Sequence, residues 1–291
     1  LRAALRRSPA GHAEKARPLR VFAVGNTVMD TMLTMPKMPV DDKLWIDSKK
    51  TYVGGQGANA AQGMALLGLQ VSFMTRLGED MDGRFARDHY KEQGIRTDHC
   101  IMVPDALTMS ATVAVETGSG QRSCLMHRDP SMFDFCVREA IARARDDLEN
   151  YDVLYTDGHQ LDLVLPVARR AAELGLPVLS DMEVLDDQAL ELVDLSTKLI
   201  APATVIRKLA SEEDLQKAVV ALAARRRPGH GVIATAGADG SYGARHGDGE
   251  AVYVPSWPAA NKAQAQDFTV RDTTGCGDAY HAGYIVANAR G

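Results

Sequence analysis

Hydrophobic positions along the chain follow two alternating rhythms. Short apolar runs at Arg20–Gly25 (RVFAVG), Val71–Thr75, Tyr151–Thr156, Pro177–Asp181, Leu199–Ala201 and Gly231–Thr235 read as buried strands. Between them, apolar residues recur at helical spacing. Residues 57–67 carry Ala60, Ala61, Met64 and Leu67, with Gly68 where a helix would stop, and Asp82–Gln93 is stopped by Gly94. Leu163–Leu174 is a third helix of this kind. Strand and helix in alternation predict an α/β fold with a mostly parallel central sheet and helices on both faces. Residues 44–53 (LWIDSKKTYV) break the rhythm, with strand-forming types at both ends and a polar middle, as in a partly exposed strand or flap. Thr112–Val115 and Ser123–Met126 flank the turn TGSGQ as a hairpin, and a second hairpin covers 241–254. The flap and the first hairpin are expected to form a small second sheet.

A chain of 291 residues suits one large α/β domain. With 45% hydrophobic but only 5% aromatic residues, the core must be filled mainly by aliphatic side chains and methionine. The net charge of -5 argues against a general nucleic-acid binder. It leaves room for a local anion site made of backbone N–H groups. Cys100, Cys124, Cys136 and Cys276 form no C-x-x-C pair, so neither a zinc knuckle nor a thioredoxin-type motif is present. Scattered thiols suggest a reducing compartment, and no apolar run of about 18 residues could span a membrane. The expectation is a cytoplasmic protein with no membrane or nucleic-acid partner. Residues 1–19 carry Arg2, Arg6, Arg7, Lys15 and Arg17 and read as a disordered extension or a misplaced start, with a transit peptide as the alternative.

The strongest chemical signal is Asp272-Thr273-Thr274-Gly275-Cys276-Gly277-Asp278 ahead of the helical run AYHAGYIVANA. Small residues before a helix let a phosphate reach the free N–H groups of its first turn, where the helix dipole adds partial positive charge. An aspartate in that turn then lies beside the anion site. Phosphoryl transfer needs this pairing of donors for the transferred charge with a carboxylate to take the proton of the attacking hydroxyl. An ordinary Asp-rich helix start is the plainer alternative. A second glycine-rich stretch, Gly54-Gly55-Gln56-Gly57-Ala58-Asn59, links the flap to a helix. Asn59 in the first turn can both donate to and accept from a polyol hydroxyl, or bond the backbone. Asp30 in GNTVMD follows the first strand, where open α/β sheets bind ligands; a helix cap or surface turn is equally open. Thr235-Ala236-Gly237-Ala238-Asp239-Gly240 follows the strand GVIA as a nucleotide-phosphate turn or a simple β-turn. Neither glycine stretch is a G-x-G-x-x-G after a buried strand, so a nicotinamide-dependent oxidoreductase finds little support.

Together and in order, these segments resemble the ribokinase/PfkB carbohydrate kinase family, over roughly residues 20–291. GGQGANAAQGMALLG is similar to its first signature, DTTGCGDAYHAGY to its second, and TAGADG to the nucleotide-side turn. The resemblance implies a ribokinase-like fold with a β-sheet lid from about 37–53 and 108–128, and ATP-dependent, Mg²⁺-requiring phosphorylation of a sugar hydroxyl. It implies Asp278 as general base and Gly275, Cys276 and Gly277 as the anion hole. Asp30, Lys43, Gly54, Gly55 and Asn59 would hold the sugar, and Thr235, Gly237, Gly240 and Thr273 would face ATP.

Three departures from the family pattern stand out. Cys276 replaces the usual Ala or Gly. The family's Asn-x-x-Glu motif should fall near 202–206, which reads Pro-Ala-Thr-Val-Ile, leaving Asp181 and Glu183 as candidates to meet a metal through water. The family also continues for several tens of residues beyond the second signature, so the C-terminal part is expected to be missing or altered. Within the family, VGNTVMD, SDMEV and DTTGCGDAYH look closest to the sulfofructose kinase and ketohexokinase branch. Met126-His127 and His159 stand where the sulfosugar enzyme's asparagine and arginine are expected, which weakens a sulfonate reading. The lid suggests a homodimer. A catalytically weak sugar-binding protein or sensor of the same fold is the rival reading.

Overall fold

The computed structural model describes residues 17–257 and 273–289. Most of the basic start and Asp272 therefore lie outside the described residues. In chain order the strands and helices are β1 (Arg20–Val24), β2 (Val28–Met35), β3 (Ser48–Gly54), α1 (Gln56–Leu66), β4 (Gln70–Gly78), α2 (Met81–Glu92), β5 (Cys100–Val103), β6 (Ser110–Glu116), β7 (Arg122–His127), α3 (Ser131–Asp134) and α4 (Arg138–Asp147). The second half adds β8 (Val153–Thr156), α5 (Leu161–Glu173), β9 (Val178–Asp181), α6 (Asp187–Leu195), β10 (Lys198–Pro202), α7 (Ala203–Ala210), α8 (Leu215–Ala224), β11 (Gly231–Thr235), β12 (Ser241–Arg245), β13 (Val252–Val254) and α9 (Cys276–Ala289).

Among the described residues, nine strands form the main sheet in the order β13-β12-β11-β10-β9-β8-β1-β4-β5. Pairing is parallel from β11 through β5 and antiparallel only for β12 and β13. Alternation along each strand feeds two cores. Phe22 and Val24 of β1 face one cluster, shared with α4 to α8, while Val21 and Ala23 face the other, shared with α1, α2 and α9. Burying a Phe, Met or Leu side chain stabilises the fold by about 1.5–3 kcal/mol, so these clusters dominate the cohesion. Asp80, Asp186 and Asp214 cap α2, α6 and α8 by accepting a first-turn backbone N–H.

A separate four-stranded sheet, β3-β2-β6-β7, stands on the main sheet as a lid. It contains the expected flap and hairpin, but also β2, which the sequence reading left unassigned. β2 lies at its centre, antiparallel to β3 and parallel to β6. Its middle positions are only half-buried. The last residues of the basic start are held in place, because Arg17 forks onto the carboxylate of Asp152 with two 2.7 Å hydrogen bonds. Among the described residues, no helix is long and apolar enough to cross a membrane.

Candidate active site

The glycine motifs converge because small residues let two helices approach. α1 packs along α9, and a Cβ on Gly63 would lie 3.0 Å from Cβ of Ala282. At the start of α1 the backbone comes closer still. A Cβ on Gly57 would fall 2.7 Å from Cα of Gly25 and 2.8 Å from Asp157 Oδ2, so only glycine fits. Asp157 directly follows β8 and is almost wholly buried. Its carboxylate accepts the backbone N–H of Asn26 at 2.8 Å, of Gly57 at 2.8 Å and of His159 at 3.0 Å. One side chain thereby ties the β1–β2 turn, the start of α1 and the β8–α5 turn together. Sequence reading missed it, because Asp157-Gly158 after an apolar strand looks like an ordinary turn.

This framework sets Asn59 opposite Asp278. Asn59 Nδ2 donates a 2.8 Å hydrogen bond to Asp278 Oδ2. Asp278 lies in the first turn of α9 and is only 7% exposed. Burial pushes its carboxyl up to about 6, the hydrogen bond from Asn59 opposes this, and the charges of Glu183 and Asp157 add to it. Gly275 takes φ 75° in the turn before α9 and is partly exposed, while Cys276 and Gly277 open the helix and are exposed. A Cβ on Gly275 would point between Asp278 Oδ2 (3.8 Å) and Asn59 Nδ2 (4.0 Å). The start of α9 and the carboxylate therefore share one mouth.

Asp30 sits in the lid, paired across β2 with Tyr52 and Ala111. It is half-buried, and that burial raises its carboxyl. A Cβ on Gly54 would overlap its carboxylate, so the glycine makes room for it, while Gly55 (φ 97°) precedes α1. Lys43 is exposed in the β2–β3 connection, where its backbone N–H donates to Asp42 Oδ1. Its side chain makes no hydrogen bond or ion pair among the described residues. His159 is committed to Gln56, Nε2 to Oε1 at 2.6 Å, and His127 is exposed in β7. Thr235 ends β11, and Ala236 N–H donates to Gly240 carbonyl oxygen at 2.8 Å to close the turn that holds Gly237. Tyr280 Oη–H donates to Ser241 Oγ at 3.1 Å and ties this turn's outgoing strand to α9. Thr273 is exposed and its carbonyl accepts the N–H of Cys276 at 3.2 Å.

The end of β9 carries the densest charge. Asp181 is buried, and burial pushes its carboxyl up to about 9, helped by the charges of Asp157, Glu183 and Asp278. His281, one turn after Asp278, is also buried, and its Nδ1 lies 3.3 Å from Asp181 Oδ2. Burial lowers the imidazole to about 4. Glu183 is exposed, yet close enough to influence both carboxylates. The β10–α7 junction, where Asn-x-x-Glu was expected, is Pro202 to Ile206 with Val205 and Ile206 buried, so it offers no carboxylate. His281 was not singled out from the sequence, although the spacing Asp278-x-x-His281 places both on one helix face.

Comparison with known proteins agrees with this geometry. The chain is 26% identical over 274 residues to the ribokinase of Bacillus subtilis (strain 168), covering 93% of this chain and 86% of that protein. It is 31% identical over 116 residues to the 5-dehydro-2-deoxygluconokinase of Geobacillus thermodenitrificans (strain NG80-2), covering 40% of this chain and 34% of that protein. Its fold is similar to that of the Arabidopsis thaliana ribokinase complexed with ribose and ATP, with a TM-score of 0.77 at 22% identity over 94% of this chain and 85% of that one. The family profile described as pfkB family carbohydrate kinase matches residues 19–291. The chain belongs to the pfkB family of carbohydrate kinases.

Proposed function

We propose that the protein transfers the γ-phosphoryl group of ATP to a hydroxyl of a small, uncharged sugar, with Asp278 as the general base. The observation that carries this reading is the Asp278 carboxylate, held by Asn59 at 2.8 Å in the first turn of α9 behind Gly275, Cys276 and Gly277. Asp278 takes the proton of the attacking hydroxyl, the sugar oxygen bonds to the γ-phosphorus, and the bond from that phosphorus to the β-bridging oxygen breaks to release ADP. The first-turn N–H groups of α9 stabilise the charge on the transferred group. A carboxyl raised to about 6 remains largely ionised at neutral pH while being basic enough to accept the proton. Asp30 and Asn59, with the backbone at Gly54 and Gly55, orient the sugar. Thr235, Gly237, Gly240 and Thr273 flank the nucleotide.

Mg²⁺ brought with the nucleotide would neutralise phosphate charge. Asp181 and Glu183 fit that role through water, since their oxygens are hard donors at and just beyond the end of β9, near Asp278. A neutral ketohexose or related sugar is favoured over a sulfonate. Lys43, the lysine that the resemblance would set against the anion, is exposed, and His159 is engaged with Gln56. Trp45, Leu125 and Met126 are 96%, 68% and 70% exposed on the lid and its connections, which favours a homodimer through that surface. Coupled measurement of ADP release across a panel of pentoses, ketohexoses and sulfosugars tests the proposal. Sugar-stimulated ADP release that disappears in Asp278→Asn is the expected result. Sugar binding without turnover would instead establish the sensor reading, which the carboxylate-free β10–α7 junction favours.

A further inference from the structure

Beneath the mouth of the site, three metal-ligating side chains meet. Asp181 from the end of β9 and Asp278 and His281 from the first turns of α9 place one ligand atom each within 4.8 Å of one another, and all three residues are buried. The His281 side chain is 5% exposed, and among the described residues neither ring nitrogen has a hydrogen-bond partner of good geometry. Nδ1 lies 3.3 Å from Asp181 Oδ2, and the Gly277 backbone lies close to the ring one turn back. The hydroxyl of Tyr155, whose ring centroid is 6.4 Å from that of His281, is also buried and has no hydrogen-bond partner among the described residues. Buried polar atoms left without partners destabilise a fold, so their clustering calls for an occupant.

We propose that Asp181, Asp278 and His281 form a binding site for one divalent transition-metal ion of the Zn²⁺ type, and that its occupancy switches the kinase off by engaging the carboxylate of Asp278. The two carboxyl groups and the imidazole converge on one point, and a dication can take a lone pair from each of the three, displacing the carboxyl proton on binding. The imidazole nitrogen decides the class of ion, because Mg²⁺ and Ca²⁺ select all-oxygen shells while Zn²⁺, Co²⁺ and Mn²⁺ accept nitrogen. Zinc bonds of about 2.0–2.1 Å put neighbouring ligand atoms of a tetrahedral site about 3.3 Å apart, the separation already present between His281 and Asp181. This ion differs from the Mg²⁺ that accompanies the nucleotide: Asp278 and His281 belong to it alone, and Asp181 would touch it directly while meeting Mg²⁺ only through water. Occupancy stands on the geometry alone; only its effect on turnover rests on Asp278 being the base.

The test uses the full chain stripped by chelator and titrated with Co²⁺, then Zn²⁺, in excess Mg²⁺. One Co²⁺ per chain should bind with ligand-field bands lacking a thiolate contribution, and Zn²⁺ should displace it. Asp181→Asn and His281→Phe should weaken binding by about 10–100-fold or more, while Cys276→Ala retains it. Sugar-dependent turnover in Mg²⁺ should fall in step with Zn²⁺ occupancy, and whatever turnover His281→Phe retains should not respond. Absence of binding, equal binding in both site variants, or loss of binding only in Cys276→Ala would overturn the site. If the variants do not fold, X-ray absorption of the zinc-loaded wild type decides: an imidazole ligand without sulfur supports the site, and a sulfur ligand refutes it. Binding as expected with undiminished turnover would keep the site and remove Asp278 from its role as base.

Discussion

Asn59 and Asp278 lie 219 residues apart in the chain and are joined by a 2.8 Å hydrogen bond between the first turns of two helices. The amide nitrogen faces the carboxylate, which leaves the Asn59 carbonyl oxygen to accept from a sugar hydroxyl. In the proposed reaction the side chain would therefore bridge the substrate and the base, beyond the sugar contact expected of it. Asn59→Ala should lower kcat by about 10²-fold, the scale of a misplaced reacting group. It should also weaken sugar affinity by about 1–3 kcal/mol through an unpaired hydroxyl. Steady-state kinetics with calorimetry separates the two effects. A change in affinity with unchanged kcat would show that Asn59 touches sugar only.

Asp278→Asn keeps the shape of the side chain and removes its capacity to accept a proton. Turnover should drop by about 10²–10⁴-fold with little change in sugar affinity. Near-normal turnover in this variant would exclude Asp278 as the base.

The strand–helix alternation, both glycine motifs and Asp278 were legible because each is a local pattern. Apolar runs mark strands, and small residues before a helix mark a turn whose N–H groups could receive an anion. β2 escaped because its middle residues are only half-buried, so VMDTMLTM shows neither a clean alternation nor a continuous apolar run. Asp157 and His281 escaped for a different reason. Their importance comes from burial and from partners more than twenty residues away, such as Asn26 and Gly57 for the first and Asp181 for the second. Lys43 shows the converse, since a residue placed by resemblance alone is exposed and without a side-chain hydrogen bond among the described residues.

Asp157 predicts a combined stability and binding defect. In Asp157→Asn, an amide replaces one oxygen of an acceptor that serves three backbone N–H groups. Each donor left unpaired costs about 1–3 kcal/mol. The melting temperature should fall, and the sugar KM should rise because Asn26 and Gly57 lose their anchor. A lower melting temperature with unchanged KM would confine Asp157 to a purely structural role.

Asp152 carries a pH signature away from the site. Hydrogen bonding and charge from Arg17, together with Arg20, hold its carboxyl well below the usual carboxylate range. A depressed folded-state value stabilises the fold above the unfolded value of about 3.9 and is lost as pH falls through the folded value. Wild-type stability should therefore fall more steeply than that of Asp152→Asn between about pH 5 and pH 3 in urea titrations. Solvent exposure of Arg17 keeps the effect small and sensitive to salt. Parallel curves for the two proteins would mean that the pair contributes nothing.

Cys276 gives the most direct chemical probe of the mouth. It is the first residue of α9, exposed, with Gly275 in a left-handed turn on one side and Gly277 on the other, where even an added Cβ would meet nothing within 4 Å. Its backbone N–H is engaged with Thr273, so the thiol is presented on a fixed turn. An alkyl group there would occupy the space through which the transferred phosphoryl group must pass. Iodoacetamide should inactivate the enzyme, ATP should protect it, and Cys276→Ala should be active and resistant. Cys124 and Cys136 are also exposed, whereas burial pushes the Cys100 thiol up to about 12 and leaves it a poor nucleophile. Alkylation of Cys124 or Cys136 should therefore label the protein without loss of activity, as peptide mapping of the alanine variant would show. Equal inactivation of the alanine variant would place the sensitive group elsewhere and leave Cys276 as a small packing residue in the place of alanine.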